Sequence, residues 1–149
     1  MEKGIGKERI YRLEKEFLQG FVKTCGINVD LLEGGRAESS LEISKAHSQQ
    51  DGFVHAGVMA TMADHTAGYA AFSVVTDDFR ILTLEFKINF LRPATGDRLV
   101  CRSRVIKRGK KVLVADSEVY DQREGNEKLA AKALVTLVAV PEQELLPGG

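Results

Sequence analysis

Between residues 7 and 22 apolar side chains return at every third or fourth position, at Ile10, Leu13, Phe17 and Phe21, with charged residues filling the gaps. That period predicts an amphipathic helix. From Gly26 the period drops to two. Ile27, Val29 and Leu31 alternate with Asn28 and Asp30, Glu33-Gly34-Gly35 supplies a turn, and Ala37, Ser39, Leu41 and Ile43 alternate again, the pattern of a β-hairpin. A polar loop over 45–52 leads into the segment 52–76, which is apolar nearly throughout and long enough for a helix of about five turns. Beyond Asp77-Asp78 the alternation is at its clearest. Leu82, Leu84, Phe86, Ile88 and Phe90 share one face and Thr83, Glu85, Lys87 and Asn89 the other, predicting a strand with one face on the core. Pro93 and Gly96 interrupt it, and Leu99–Arg108, Lys111–Tyr120 and Lys128–Val140 follow as strands, separated by turns at Gly109 and at residues 122–127. A helix apolar nearly all round has to be wrapped rather than covered on one side. The expected fold class is therefore α+β, with an antiparallel sheet wrapped around a long central helix. By segment, this gives an N-terminal amphipathic helix over 1–24, the main domain over 25–141 and a tail over 142–149.

Composition narrows the possible partners. The chain has 149 residues, 44% of them hydrophobic and 28% charged, which suits one domain with its own core. Lys plus Arg equals Asp plus Glu at 21 each, so neither nucleic acid nor an anionic membrane surface is implied as partner. Cys25 and Cys101 lie far apart with no metal-binding spacing and read as reduced thiols, which points to the cytoplasm. The N-terminus is too charged for a signal peptide, and residues 52–76 are too interrupted by polar groups for a membrane span. No zinc spacing, glycine-rich phosphate loop or nucleophilic Ser or Cys motif is present, so no metal and no tightly held cofactor is expected.

Within 52–76 one formally charged side chain is kept, Asp64. On a helix it shares a face with Gly57, Ala60, Thr61, Ala67, Gly68 and Ala71, while Val58, Met62, His65, Tyr69 and Phe72 line another. Small residues let a backbone or ligand approach closely, and a carboxylate beside them costs several kcal/mol in desolvation unless it is partnered. Carboxylates held this way often do chemistry; the plainer alternative is a side chain that reaches water or caps a neighbouring backbone group. His55-Ala56-Gly57 opens the same helix, where the first-turn N–H groups and the helix dipole can stabilise a developing oxyanion. An ordinary N-terminal turn is the alternative there.

The stretches GFVHAGVMATMADHTAGYA, LEFKINFLRPATGDRL and RVIKRGKKVLVADSEVYD resemble the hotdog-fold acyl-CoA thioesterases of the phenylacetate-pathway (PaaI-type) family, over roughly residues 25–140. The resemblance rests on the His-x-Gly motif, the acidic residue nine positions later, and the Arg-Pro-Ala with Gly after the following strand. It implies that Asp64 is the catalytic carboxylate, as general base or nucleophile, facing the helix N-terminus of a second subunit. The Ala56 N–H would then help form the oxyanion hole, Gly57 keep the turn open, and His55 orient the site or touch the thioester. This chain has Ala where the family commonly has a second Gly, a change without cost unless φ must be positive there. Gln49, with Gln50 beside it, matches the amide that binds the thioester carbonyl. Thr83 matches the hydroxyl that assists the water, although the alternation turns it away from the core.

His65 is expected to pack beside Met62 and Tyr69, and His47 to be solvated. Arg92, Lys107, Arg108 and Lys110 are candidates for the phosphates of coenzyme A, the last three equally explained as a wet hairpin tip. Together these readings describe a cytoplasmic acyl-CoA thioesterase, a homodimer or dimer of dimers with sites shared between subunits. A hotdog hydratase or dehydratase and a non-catalytic acyl-CoA binding module are the alternatives.

Overall fold

The structure, a computed structural model, describes residues 5–145. The first four positions of the expected N-terminal segment and the last four of the tail lie outside the described residues. Helix α1 spans Lys7–Phe17 and α2 Gly20–Cys25; strands β1 (Asn28–Glu33) and β2 (Arg36–Glu42) form the hairpin, and a 3₁₀ turn covers Lys45–His47. Helix α3 is Ala56–Phe72, followed by β3 (Phe79–Phe90), β4 (Arg98–Arg108), β5 (Val112–Arg123), β6 (Asn126–Pro141) and a single turn, α4 (Glu142–Leu145). All strand pairs are antiparallel, in one sheet of order β1-β2-β4-β5-β6-β3.

The sheet wraps α3 as the pattern predicts. Met62, Ala63, Ala67, Ala70 and Ala71 are wholly inaccessible, packed with Phe17, Leu41, Leu99, Leu113, Val135 and Leu137. The alanines let the helix lie close to the sheet, close enough for side-chain hydroxyls to fasten it. The Ser117 hydroxyl donates to the Ala63 carbonyl at 2.8 Å, and the Ser39 and Thr66 hydroxyls pair at 2.7 Å. Buried polar groups satisfied in this way fix the helix in one position, because any shift would leave them unpaired. Cys101 lies in the same layer, where burial pushes its thiol up to about 11. Cys25 and Cys101 are both free thiols.

Two expectations are corrected. The N-terminal helix does not run unbroken to residue 22. It stops at Phe17 and restarts at Gly20, whose φ of 61° is a left-handed conformation that only glycine adopts readily. The break rotates Phe21 out of the buried face that Leu13 and Phe17 occupy. Strand β3, in turn, does not set its apolar face on the core. Leu82, Leu84, Phe86 and Phe90 are exposed, and of the strand only Ile81 is buried. The reason is topological: β3 pairs with β6 alone and forms an edge of the sheet. A bulge between Thr83 and Glu85 also switches the faces of the strand, so that Phe86, Ile88 and Phe90 lie on the α3 side, opposite the buried Val135, Ala133 and Ala131, while Leu82 lies on the other side, opposite Val138.

Candidate active site

The start of α3 is held from both sides. The Val54 N–H donates to the Ala94 carbonyl at 3.0 Å and the His55 N–H to the His47 carbonyl at 2.8 Å. Ala94 is fully buried, and the two residues after it anchor on one carboxylate, with the Thr95 and Gly96 N–H groups donating to Asp121 at 3.0 and 2.9 Å. A side chain at Gly96 would put its Cβ 2.3 Å from the Gln122 carbonyl oxygen. The Arg-Pro-Ala-Thr-Gly run is therefore a buttress for the helix N-terminus. His47 belongs to the same support and, where a solvated side chain is expected, is half-buried and held at both ring nitrogens. Its Nδ1 accepts from the Ser44 N–H at 2.9 Å, so the ring proton is on Nε2, which donates to the Cys25 carbonyl at 2.7 Å. That partner lies far off in sequence, which hides the bond from any local reading.

His55 is the N-cap of α3, and its Nδ1 accepts from the Gly57 N–H at 2.8 Å. The bond leaves Nε2 carrying the proton and free to donate into the adjoining groove. Gly57 is required by space: a Cβ there would lie 2.9 Å from Nδ1. The Ala56 N–H, by contrast, has no acceptor among the described residues and stands at the positive end of the helix. Ala56 has no left-handed φ, since Glu124 is the one non-glycine residue with φ in that region among those described; alanine in the motif carries no backbone penalty. A groove of about 530 Å³ runs past this turn, lined by Gln49, Gln50, His55, Ala56, Phe90 and Arg92 among others. The Gln49 side-chain oxygen accepts from the Asp51 N–H and, at 3.4 Å, from the Phe53 N–H, while the amides of Gln49 and Gln50 turn to the Asp51 carboxylate.

Asp64 lies on a different groove of about 400 Å³, whose walls include Phe21, Ala60, Thr61, His65 and Phe86. It is half-buried, and its Oδ1 accepts from the Thr83 hydroxyl at 2.6 Å. The alternation turns Thr83 away from the core, but the structure turns it toward α3: it shares a face with the buried Ile81, lies opposite the buried Leu137, and meets Asp64 at the sheet edge. His65 packs as expected against Tyr69, ring centroids 4.9 Å apart, and against Phe17 at 4.3 Å, with its Nε2 donating to the Phe17 carbonyl at 3.0 Å. Burial holds its pKa below the ordinary value, against smaller upward pulls from the Phe17 carbonyl and Asp64.

The structure therefore divides the expected site residues into three places within one chain. Gln49, Gln50, His55, Ala56, Gly57 and Arg92 gather at the helix N-terminus, and Asp64 meets Thr83 two turns further on. Arg108 and Lys110 line a separate cleft with Val75, Thr76 and Phe79, beyond the C-terminal end of α3, and Lys107 lies beside them on β4. The basic tip and Arg92 do not form one cluster in a single chain. Among the described residues, no group of three or more His, Cys, Asp or Glu side chains converges as metal ligands would, and no helix is long and apolar enough to cross a membrane.

The profile of the thioesterase superfamily matches residues 51–128, which include the His55-Ala56-Gly57 turn, Asp64 and Thr83. The chain belongs to the thioesterase superfamily. A thioesterase family protein from Silicibacter pomeroyi superposes with a TM-score of 0.85 at 38% identity, covering 89% of this chain and 98% of that one. A provisionally named esterase of Saccharolobus solfataricus is 33% identical over 132 residues, 87% of this chain and 82% of its own. The medium/long-chain acyl-CoA thioesterase YigI of Escherichia coli K12 is 27% identical over 135 residues, covering 82% of this chain and 76% of its own. The sheet around α3 is thus the hotdog fold, and the enzymatic class is thioester hydrolysis. In this thioesterase, sequence reasoning missed Asp121 and Ala94 as supports of the helix start, and Gln19 and Phe21 as walls of the Asp64 groove. Gly20 was the available signal for the last two.

Proposed function

We propose that this thioesterase is a PaaI-type acyl-CoA hydrolase whose active site is completed by a second copy of the chain. The observation that supports it most is the pairing of Asp64 with the Thr83 hydroxyl at 2.6 Å in a groove of small residues. Thr83 spends its proton on Oδ1. Its oxygen lone pairs can accept from a water, and Oδ2 can take that water's other proton. The hydroxide so formed attacks the thioester carbonyl, and charge develops on the carbonyl oxygen. A donor for that oxyanion is needed about 3 Å away, and the unpaired Ala56 N–H suits the task. Within one chain it is eight residues from Asp64, roughly 12 Å along the helix, beyond reach of the same carbon.

The exposed edge of β3 suggests how the gap closes. A two-fold axis near Lys87, pairing β3 with its copy, would carry Thr83 and Asp64 of one subunit toward Phe90 and the helix start of the other. Asp64 then abstracts the proton, the partner's oxyanion donor holds the tetrahedral intermediate, and its collapse breaks the C–S bond. The departing thiolate takes the proton back from Asp64, so coenzyme A leaves as a thiol. Gln49 and His55 would orient the thioester. Arg92, in the same groove, is the basic group placed for the phosphates, and Lys107, Arg108 and Lys110 could join it only from another subunit.

Free-thiol release from a panel of straight-chain and aryl acyl-CoA thioesters tests the reading. Asp64→Asn, isosteric and unable to accept a proton, is expected to lower turnover by at least ~10² with its circular dichroism unchanged. Near-normal release by that variant would remove Asp64 from the chemistry.

A further inference from the structure

Phe21 is apolar yet 68% exposed, while Val22 beside it is 5% exposed. Had α1 continued, the spacing from Phe17 would have carried Phe21 into the core. The left-handed Gly20 instead turns the ring onto the rim of the Asp64 groove, whose walls also include Phe86 on β3. The segment is firmly placed. Phe17, just before the break, is fully buried, its carbonyl accepts from His65, and α1 is tied to the start of β3 by Arg9 and Arg12 on Asp77, each at 2.7 Å, and by Glu16 on Arg80 at 3.1 Å.

We infer that Phe21 is a specificity-determining residue: it forms the end wall of the acyl subsite and limits the substrate to compact acyl groups, of medium chain length or aryl, excluding long chains. This rests on the thioesterase reading of the Asp64 groove. Phe21, Val22, Ala60 and Phe86 give the groove apolar walls, and Asp64 is the carboxylate it holds, so a neutral, apolar group next to the scissile carbonyl is the chemistry that fits.

The test compares wild type, Phe21→Ala and Phe21→Trp by kcat/KM on straight-chain acyl-CoAs of about four to sixteen carbons, where one methylene can be worth about tenfold or more. Because Phe21 is exposed, neither substitution threatens the fold. Phe21→Ala is expected to move the optimum to longer chains and raise kcat/KM for the longest by about tenfold, while Phe21→Trp moves it to shorter ones. The same shift should appear in calorimetric Kd values for the matching S-alkyl-CoA thioethers, which cannot be hydrolysed. Unchanged profiles in both variants would overturn the inference. So would a lower mass for Phe21→Ala in light scattering, which would mean that a second copy covers the ring. Wild-type protein that releases no thiol, with a binding profile that still shifts, would leave the subsite standing and reject hydrolysis.

Discussion

Asp64 and His65 are neighbours in sequence whose side chains leave the helix about 100° apart and meet opposite surroundings. Asp64 looks into an open groove toward Thr83, while His65 is tucked under the end of α1 between the rings of Phe17 and Tyr69. Burial there, the largest influence, disfavours the imidazolium and lowers the His65 pKa from its ordinary 6.5; the same environment pushes the Tyr69 phenol up to about 12. With a folded-state pKa below the unfolded one, the unfolded chain binds more protons between the two values. His65 therefore stabilises the fold fully above the unfolded value, and this contribution is lost as pH falls below it toward the folded pKa. Thermal denaturation between about pH 5 and 8 should show Tm declining on the acid side in wild type. His65→Gln keeps an N–H for the Phe17 carbonyl and cannot be protonated, so its curve should be flatter there. Parallel curves would assign the acid sensitivity to another group.

At the scale of the element, the first turn of α3 separates capping from catalysis. A Cβ at Gly57 would displace the His55 ring and break its bond to the Gly57 N–H. The lost cap costs about 1 kcal/mol, and alanine's better helix propensity returns about 1 kcal/mol. Gly57→Ala should therefore unfold in urea within about 1 kcal/mol of wild type yet release thiol at least ~10-fold more slowly, because the ring no longer points its Nε2 into the groove. Unaltered turnover would reduce His55 to a helix cap. The elements themselves were legible because each carries its own period, 3.6 for α1 and two for the strands, and Asp64 stood out as a charge in an uncharged run. What stayed hidden depended on partners distant in sequence. His47 is held by Cys25, and the helix start is buttressed through Asp121. Thr83 meets Asp64 only because β3 ends the sheet. Phe21 was misassigned because one left-handed glycine outweighs three turns of periodicity.

For the whole molecule, the edge strand β3 and its exposed apolar side chains set the terms. Full burial of a Leu or Phe side chain is worth about 1.5–3 kcal/mol, so Leu82, Leu84, Phe86 and Phe90, each roughly half exposed, leave on the order of 4 kcal/mol to be gained by pairing. If the pairing brings Asp64 of one subunit to the Ala56 N–H of the other, two inactive variants should complement each other. Ala56→Pro is well suited as the second: Ala56 is the first residue of α3 with an unpaired N–H, a position that accepts proline. His55 before it already has φ −60° and ψ 133°, the conformation that proline imposes on its predecessor. The variant thus removes the donor and little else. In a heterodimer with Asp64→Asn, one site collects both defects and the other neither. Random reassortment of equal amounts makes half the dimers mixed, each with one of its two sites intact, so about a quarter of wild-type thiol release should return. Mass spectrometry would verify subunit exchange. Exchange without recovered activity would mean that carboxylate and helix N-terminus do not work across the interface, and that the second groove belongs to something other than the thioester.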